Sequence, residues 1–260
     1  MESHRDDGLL LVGHGTRDPA GTREFFQLAS LLADRLKPMA VEGCLLEFQR
    51  PTIREAWQTL VDHGARRIRV APLLLFAAGH ARSDIPEALL ACQAETPHIR
   101  YTQSGPLSRA PSIIDLLVNR ITESATASNL IIDDSVGLVT VGRGSFNPCA
   151  EADMRILGEI VARRLGFSHH AVGFYAMAQP RLPEVLDRIV EQSEVRSVIV
   201  QPHLLFQGRL YDAIRRQVGE ASERHQGIQF VVGDYLGPVT EVADALARRA
   251  LSKPPMAAVT

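Results

Sequence analysis

The segment Leu9–Pro19 reads LLLVGHGTRDP, and 129 positions later Leu138–Pro148 reads LVTVGRGSFNP. Each is a short apolar run that enters a Gly-X-Gly turn and leaves through Asp-Pro or Asn-Pro. That is the signature of a strand, a tight loop and a capped helix start. The same unit therefore occurs twice, with His14 of the first copy replaced by Arg143 in the second.

The offset persists along the chain. Pro51 meets Pro180 within QRPTIREAWQTLVDHG and AQPRLPEVLDRIVEQS, Gly79 meets Gly208, and Tyr101–Leu107 meets Phe230–Leu236. An internal repeat thus spans most of residues 9–250. It is most informative where it fails: Glu47 falls opposite Ala176, and His80 opposite Arg209. Three side chains able to carry protons or bind a metal lie in the first half, with none at their counterparts.

Between these landmarks, short apolar runs alternate with longer amphipathic ones, the pattern of βα units around a parallel sheet. Strands are predicted at Leu9–Val12, Val41–Phe48, Ile68–Phe76 and Ile99–Thr102, then at Gly137–Val141, Ala171–Met177, Ser197–Phe206 and Gln229–Val232. Helices are predicted in the first half at Thr22–Leu36, Ile53–His63, Pro86–Glu95 and Pro111–Glu123, with Thr52 and Glu55 in capping-box spacing. The polar stretch SATASNLIIDDS, Ser124–Ser135, separates the halves. It divides the chain into an N-terminal domain, 1–128, that carries the reactive residues, and a degenerate C-terminal repeat, 129–260. The C-terminal SKPPMAAVT reads as a loose tail. Eight βα units could equally close into one barrel, because half-barrel duplication produces the same repeat.

Either architecture puts ligands at the carboxyl ends of the strands. His14 follows the first strand, Glu47 lies near the end of the second, and His80 follows the third. Alone, each has an ordinary explanation as a turn histidine or a solvated carboxylate; together, and lost together in the copy, they point to a reactive edge. His169, His170, His4, His63, His98 and His225 read as surface or loop residues, while His203 interrupts the apolar QPHLLF and needs a partner if buried. The GHG turn lacks the remaining glycines and the lysine of phosphate-binding loops, so nucleotide binding has little support.

Composition sets limits. The net charge is -2 and 45% of the 260 residues are hydrophobic, so neither a nucleic-acid nor a membrane signature is present. The only lysines are Lys37 and Lys253, so the basic surface is arginine. Cys44, Cys92 and Cys149 lie far apart, against an iron–sulfur cluster, zinc ribbon or disulfide framework, and in keeping with a reducing cytosol. MESHRDDG at the N-terminus is charged and is followed by too short an apolar run for a signal peptide.

The segments LLLVGHGTRDPAG, LLEFQRPTI and APLLLFAAGHARSDIP, in that order and spacing, resemble the sirohydrochlorin chelatases of the class II chelatase superfamily. The later VGRGSFNP, AMAQPRLPE and PHLLFQGRLYDAI resemble the second half of that family's long, two-domain members. The resemblance implies two tandem α/β domains, each a small parallel sheet flanked by helices, with the macrocycle in the cleft between them. It further implies ATP-independent insertion of a divalent metal into sirohydrochlorin, cobalt being favoured over iron, with no organic cofactor. By motif, His14 and His80 bind the metal and assist proton removal, and Glu47 supports them. A non-catalytic metal or tetrapyrrole carrier is the alternative, and a hydrolase-like or phosphosugar barrel a more distant one. Because sirohydrochlorin carries eight carboxylates, Arg17, Arg50, Arg82, Arg143 and Arg209 are candidate substrate-binding residues. Partners are then the tetrapyrrole and the metal alone, in the cytoplasm. The oligomeric state is left open, a monomer being one option. The chain departs from some relatives in having neither a histidine-rich tail nor a cysteine cluster.

Overall fold

The structure of the protein, a computed structural model, describes residues 6–76 and 83–252. Strands and helices alternate. The first half runs β1 (Asp7–Gly13), α1 (Pro19–Leu36), β2 (Ala40–Leu45), α2 (Ile53–Asp62), β3 (Arg67–Pro72), α3 (Asp84–Glu95), β4 (Arg100–Gln103) and α4 (Pro111–Ala127). The second runs β5 (Val136–Gly142), α5 (Pro148–Leu165), β6 (His169–Phe174), α6 (Leu182–Ile189), β7 (Ser197–Pro202), α7 (Arg209–Arg224), β8 (Gln229–Val232) and α8 (Thr240–Leu251). They build two four-stranded sheets, ordered β2-β1-β3-β4 and β6-β5-β7-β8, with every pairing parallel. Two separate open sheets exclude the single barrel. No helix of the described residues is long and apolar enough to cross a membrane.

The sequence opened on the central strand of each sheet. All residues of β1 and of β5 are buried, because helices cover both faces, and such strands read as continuous apolar runs instead of alternating. The helix starts follow their capping residues. Asp18 accepts from the Ala20 amide at 2.9 Å and Asn147 from the Cys149 amide at 2.9 Å, each followed by proline. At α2 the Thr52 amide donates to Glu55 Oε2 at 2.8 Å and the Glu55 amide to Thr52 Oγ1 at 3.3 Å, completing the capping box.

Four strands end sooner than their apolar runs. β2 stops at Leu45, β3 at Pro72, β6 at Phe174 and β7 at Pro202. Leu73 and Leu204 are 5% and 9% exposed, yet both sit in the loops beyond the strands. Apolar character reports burial, and burial continues into the loops at the carboxyl edge after sheet pairing has ended.

Packing also divides the chain differently from the repeat. One compact unit comprises residues 1–108 with 238–260, the other residues 109–237. The sequence division at 128/129 follows the duplication; α4 instead runs on through Ala127 and belongs to the second unit. There it packs on α5, β7 and β8, while α6 and α7 cover the opposite face. In the first unit α8 packs on α1 and β3, with α2 and α3 opposite. Each repeat thus contributes its last helix to the unit built around the other repeat's sheet. The buried face of α4, Ile113, Leu116, Leu117 and Ile121, is apolar enough to be read as buried from sequence. The pattern does not say against which sheet, since both offer a similar apolar face.

Candidate active site

Strand order fixes where the first unit binds. From β1 the chain moves to β2 on one side, while β3 joins on the other, so the loops after β1 and β3 diverge at the carboxyl edge and open a crevice there. His14 is the first residue after β1. The β1–α1 and β2–α2 loops then continue side by side beyond the sheet. The Leu46 amide donates to the Gly13 carbonyl at 2.9 Å, and the Glu47 amide to the His14 carbonyl at 3.1 Å. The Gln49 amide returns to the Glu47 carbonyl at 2.9 Å, and its side-chain amide donates to the Thr16 carbonyl.

Gly15 makes this approach possible. Its φ is 91°, and a Cβ there would lie 2.1 Å from the Glu47 carbonyl oxygen. Only glycine combines that backbone with that separation. The result holds half-buried His14 and exposed Glu47 on adjacent, mutually bonded loops.

The second unit repeats the scaffold without the chemistry. The Ala176 amide donates to the Arg143 carbonyl at 2.8 Å, and Gly144, at φ 90°, would place a Cβ 1.7 Å from the Ala176 carbonyl oxygen. Both units therefore share the stitched loops, and only the first carries an imidazole and a carboxylate on them. The CbiX family model matches the chain twice, over residues 8–124 and 137–253.

The chain belongs to the CbiX family.

The two CbiX repeats carry the duplication seen in the sequence, and each ends in the helix that packs in the other unit. The sirohydrochlorin cobaltochelatase of Priestia megaterium is 28% identical over 251 residues, covering 96% of this chain and 81% of its own. The sirohydrochlorin ferrochelatase of the same organism is 31% identical over 231 residues, covering 89% and 84%. Among solved structures, SirB from Bacillus subtilis with Fe3+ matches with a TM-score of 0.84 at 24% identity over 94% of both chains, a likeness of fold.

Of the residues expected to form the site in the first CbiX repeat, His14 and Glu47 are brought together. His80 and Arg82 lie outside the described residues; β3, which precedes them, ends beside β1. Arg17 is exposed, and its guanidinium carbon lies 5.0 Å from the centre of the Phe48 ring. Arg50 forms an ion pair with Glu55 at 2.8 Å while its side chain is 84% exposed, so its fork is shared with the cap of α2. In the second CbiX repeat Arg143 and Arg209 are both exposed, directly after β5 and at the start of α7.

Phe48 and Gln49 were not singled out by sequence. Gln49 ties the loops together, and Phe48 has a left-handed backbone, φ 71°, with half its surface exposed. No residue pattern announces either, because both depend on how two loops meet.

The remaining histidines of the second repeat have other partners. His170 Nε2 lies 2.7 Å from Glu159, His225 Nε2 2.7 Å from Asp187, and His169 Nε2 3.8 Å from Glu194. His203 is 3% exposed just past β7, where its amide donates to the Val141 carbonyl at 2.8 Å. Leu73 takes that place in the first repeat, donating to the Val12 carbonyl at 2.8 Å. Burial pushes the His203 pKa down from 6.5 to about 3, so the ring is neutral in the folded protein.

A depressed histidine pKa opposes folding once the unfolded chain takes up a proton, so the penalty is absent above pH 6.5 and grows as pH falls toward 3. His203→Leu, which installs the residue of the other repeat, should flatten the stability profile between about pH 6.5 and 4.5 in urea titrations. An unchanged slope would mean the ring accepts its proton without unfolding. A separate loss begins at lower pH. Burial favours the neutral form of Asp7, but hydrogen bonds and charge from Arg67 and Arg69 prevail and hold it below 3.8, so its stabilisation fades only as pH falls beneath that value.

Proposed function

We propose that this protein inserts a divalent metal, cobalt or ferrous iron, into sirohydrochlorin without ATP. The observation that carries this reading is the bonded pair of loops that sets His14 beside Glu47 at the switch-point edge of one CbiX repeat, on a scaffold the other repeat builds without either group. The two Priestia relatives, one a cobaltochelatase and one a ferrochelatase, supply the reaction class.

Insertion exchanges two pyrrole N–H protons for one dication, so the site must both accept protons and present a partly stripped metal. Neutral imidazole suits both tasks near pH 7 and is a good ligand for cobalt and ferrous iron. In the proposed mechanism His14, with His80, which follows β3 in the sequence, binds the incoming metal as substrate and leaves coordination positions open for ring nitrogens. As those nitrogens replace the imidazoles, the freed rings take up the pyrrole protons. Glu47, exposed beside the His14 backbone, offsets the metal's charge and passes protons to solvent. Arg17, Arg82, Arg143 and Arg209 receive carboxylates of the macrocycle, and Arg50 does so after release from Glu55. The separated cysteines fit a reducing cytosol, where ferrous iron and cobaltous ion persist.

The test is anaerobic spectrophotometry of sirohydrochlorin with cobalt and, separately, ferrous iron. Metal-dependent loss of the free-ring spectrum should run well above the spontaneous rate with at least one metal. Tight binding of sirohydrochlorin with no acceleration by either metal would replace the enzyme with a carrier.

A further inference from the structure

We infer that Phe48 is a substrate-contact residue: its exposed ring, held beside Glu47 and capped by Arg17, is a stacking platform for the conjugated face of the tetrapyrrole. The inference rests on the chelatase reading and deepens it.

Backbone conformation supplies the first argument. At φ 71° Phe48 occupies the left-handed region, which a bulky side chain enters only at a cost of about 1 kcal/mol or more. The second repeat shows that the loop imposes this conformation, since Met177, the counterpart of Phe48, has φ 61°. There the Ala178 amide returns to the Ala176 carbonyl at 2.7 Å, as the Gln49 amide returns to Glu47. Any residue at this position must be left-handed, and glycine or asparagine would meet the need with less strain. The fold therefore has no use for an aromatic ring at position 48.

Exposure supplies the second. Phe48 is 51% exposed, so it is not placed there to fill a core. Glu47, on which the proposed chemistry depends, is the preceding residue, and the Glu47 amide is bonded to the His14 carbonyl. A large apolar surface set rigidly beside a proton relay is suited to a flat, conjugated ligand, which offers a π face of its own.

Arg17 completes the device. Its guanidinium carbon lies over the Phe48 ring, 5.0 Å from the ring centre, and Arg17 is exposed, so its N–H groups are accessible to a carboxylate. Sirohydrochlorin presents a conjugated ring fringed with carboxylates, and the pair matches both features at once. At the corresponding positions the second repeat has Phe146, 84% exposed, and Met177, so the arginine is confined to the repeat that carries His14 and Glu47.

Phe48→Gly and Phe48→Tyr test the assignment in the full-length protein. Phe48→Gly should raise the Kd for metal-free sirohydrochlorin, measured by absorbance titration, and the KM for insertion by about tenfold or more. Its kcat should stay within about threefold, because stacking acts on bound substrate and transition state alike. Its melting temperature should hold or rise as the left-handed strain is relieved. Phe48→Tyr should restore affinity to within about threefold of the parent. Unchanged affinity in Phe48→Gly, a lower melting temperature with parental affinity per folded molecule, or no rescue by tyrosine overturns the inference while leaving the chelatase reading intact. Failure of the parent protein to accelerate insertion defeats the chelatase reading instead, and is read from a different sample.

Discussion

His14→Ala should lower the rate of metal insertion at least ~100-fold with both cobalt and ferrous iron, the loss typical when a positioned proton acceptor is removed. The fold should survive. His14 is half-buried in a loop whose tether is made by its backbone carbonyl, so the hydrogen bond from the Glu47 amide remains in the variant. A melting temperature within a few degrees of the parent, together with the rate loss, separates a chemical role from a structural one. Sirohydrochlorin affinity should change little, since in the proposed mechanism the macrocycle is held through its carboxylates. Parental activity in His14→Ala would remove the metal-handling role from this edge of the sheet.

Gly15→Ala should be damaging in a different way. The left-handed backbone at φ 91° disfavours alanine by about 1–2 kcal/mol. In addition, the new Cβ would lie 2.1 Å from the Glu47 carbonyl oxygen, so the two loops must part. Parting them breaks the bond from the Glu47 amide to the His14 carbonyl, for a total loss of about 3 kcal/mol or more. Both stability and turnover should fall, because the loops that set His14 beside Glu47 are the ones forced apart. Two controls isolate the cause. Gly144→Ala carries the same clash in the second unit, where a Cβ would lie 1.7 Å from the Ala176 carbonyl oxygen; it should lower stability with kcat per folded molecule retained, any catalytic loss falling on KM through the neighbouring Arg143. Gly64→Ala, at φ 88° with no atom within 4 Å of the added Cβ, should show the backbone penalty alone. Thermal melts beside turnover assays read all three, and equal losses in Gly15→Ala and Gly64→Ala would contradict the clash.

Much of this architecture is legible in the chain because its signals are local. A buried central strand must be apolar throughout, and Asp18, Asn147 and Thr52 each mark a helix start with a side chain that satisfies a nearby amide. The duplication adds a comparison internal to the sequence. Residues that serve the shared scaffold recur, as Gly15 and Gly144 do, while His14, Glu47 and His80 stand out by having no equivalents.

The features that escaped sequence reading are those in which two distant segments meet. The apolar face of α4 predicts that the helix is buried, but hydrophobic burial is non-directional, and only packing assigns it to the sheet of the second unit. Phe48 looks like one more apolar residue at the end of a strand. Its left-handed backbone, its exposure and the guanidinium over its ring arise only once the β1–α1 and β2–α2 loops are bonded together. Sequence alone determined that the chain is a duplicated parallel α/β protein whose two copies differ at His14, Glu47 and His80, because periodicity, capping and the repeat are properties of neighbouring residues. Tertiary structure alone decided which helix closes which sheet, that His14 and Glu47 share a stitched edge, and that an aromatic ring stands beside them. Each of those depends on contacts between segments that the order of residues does not specify one by one.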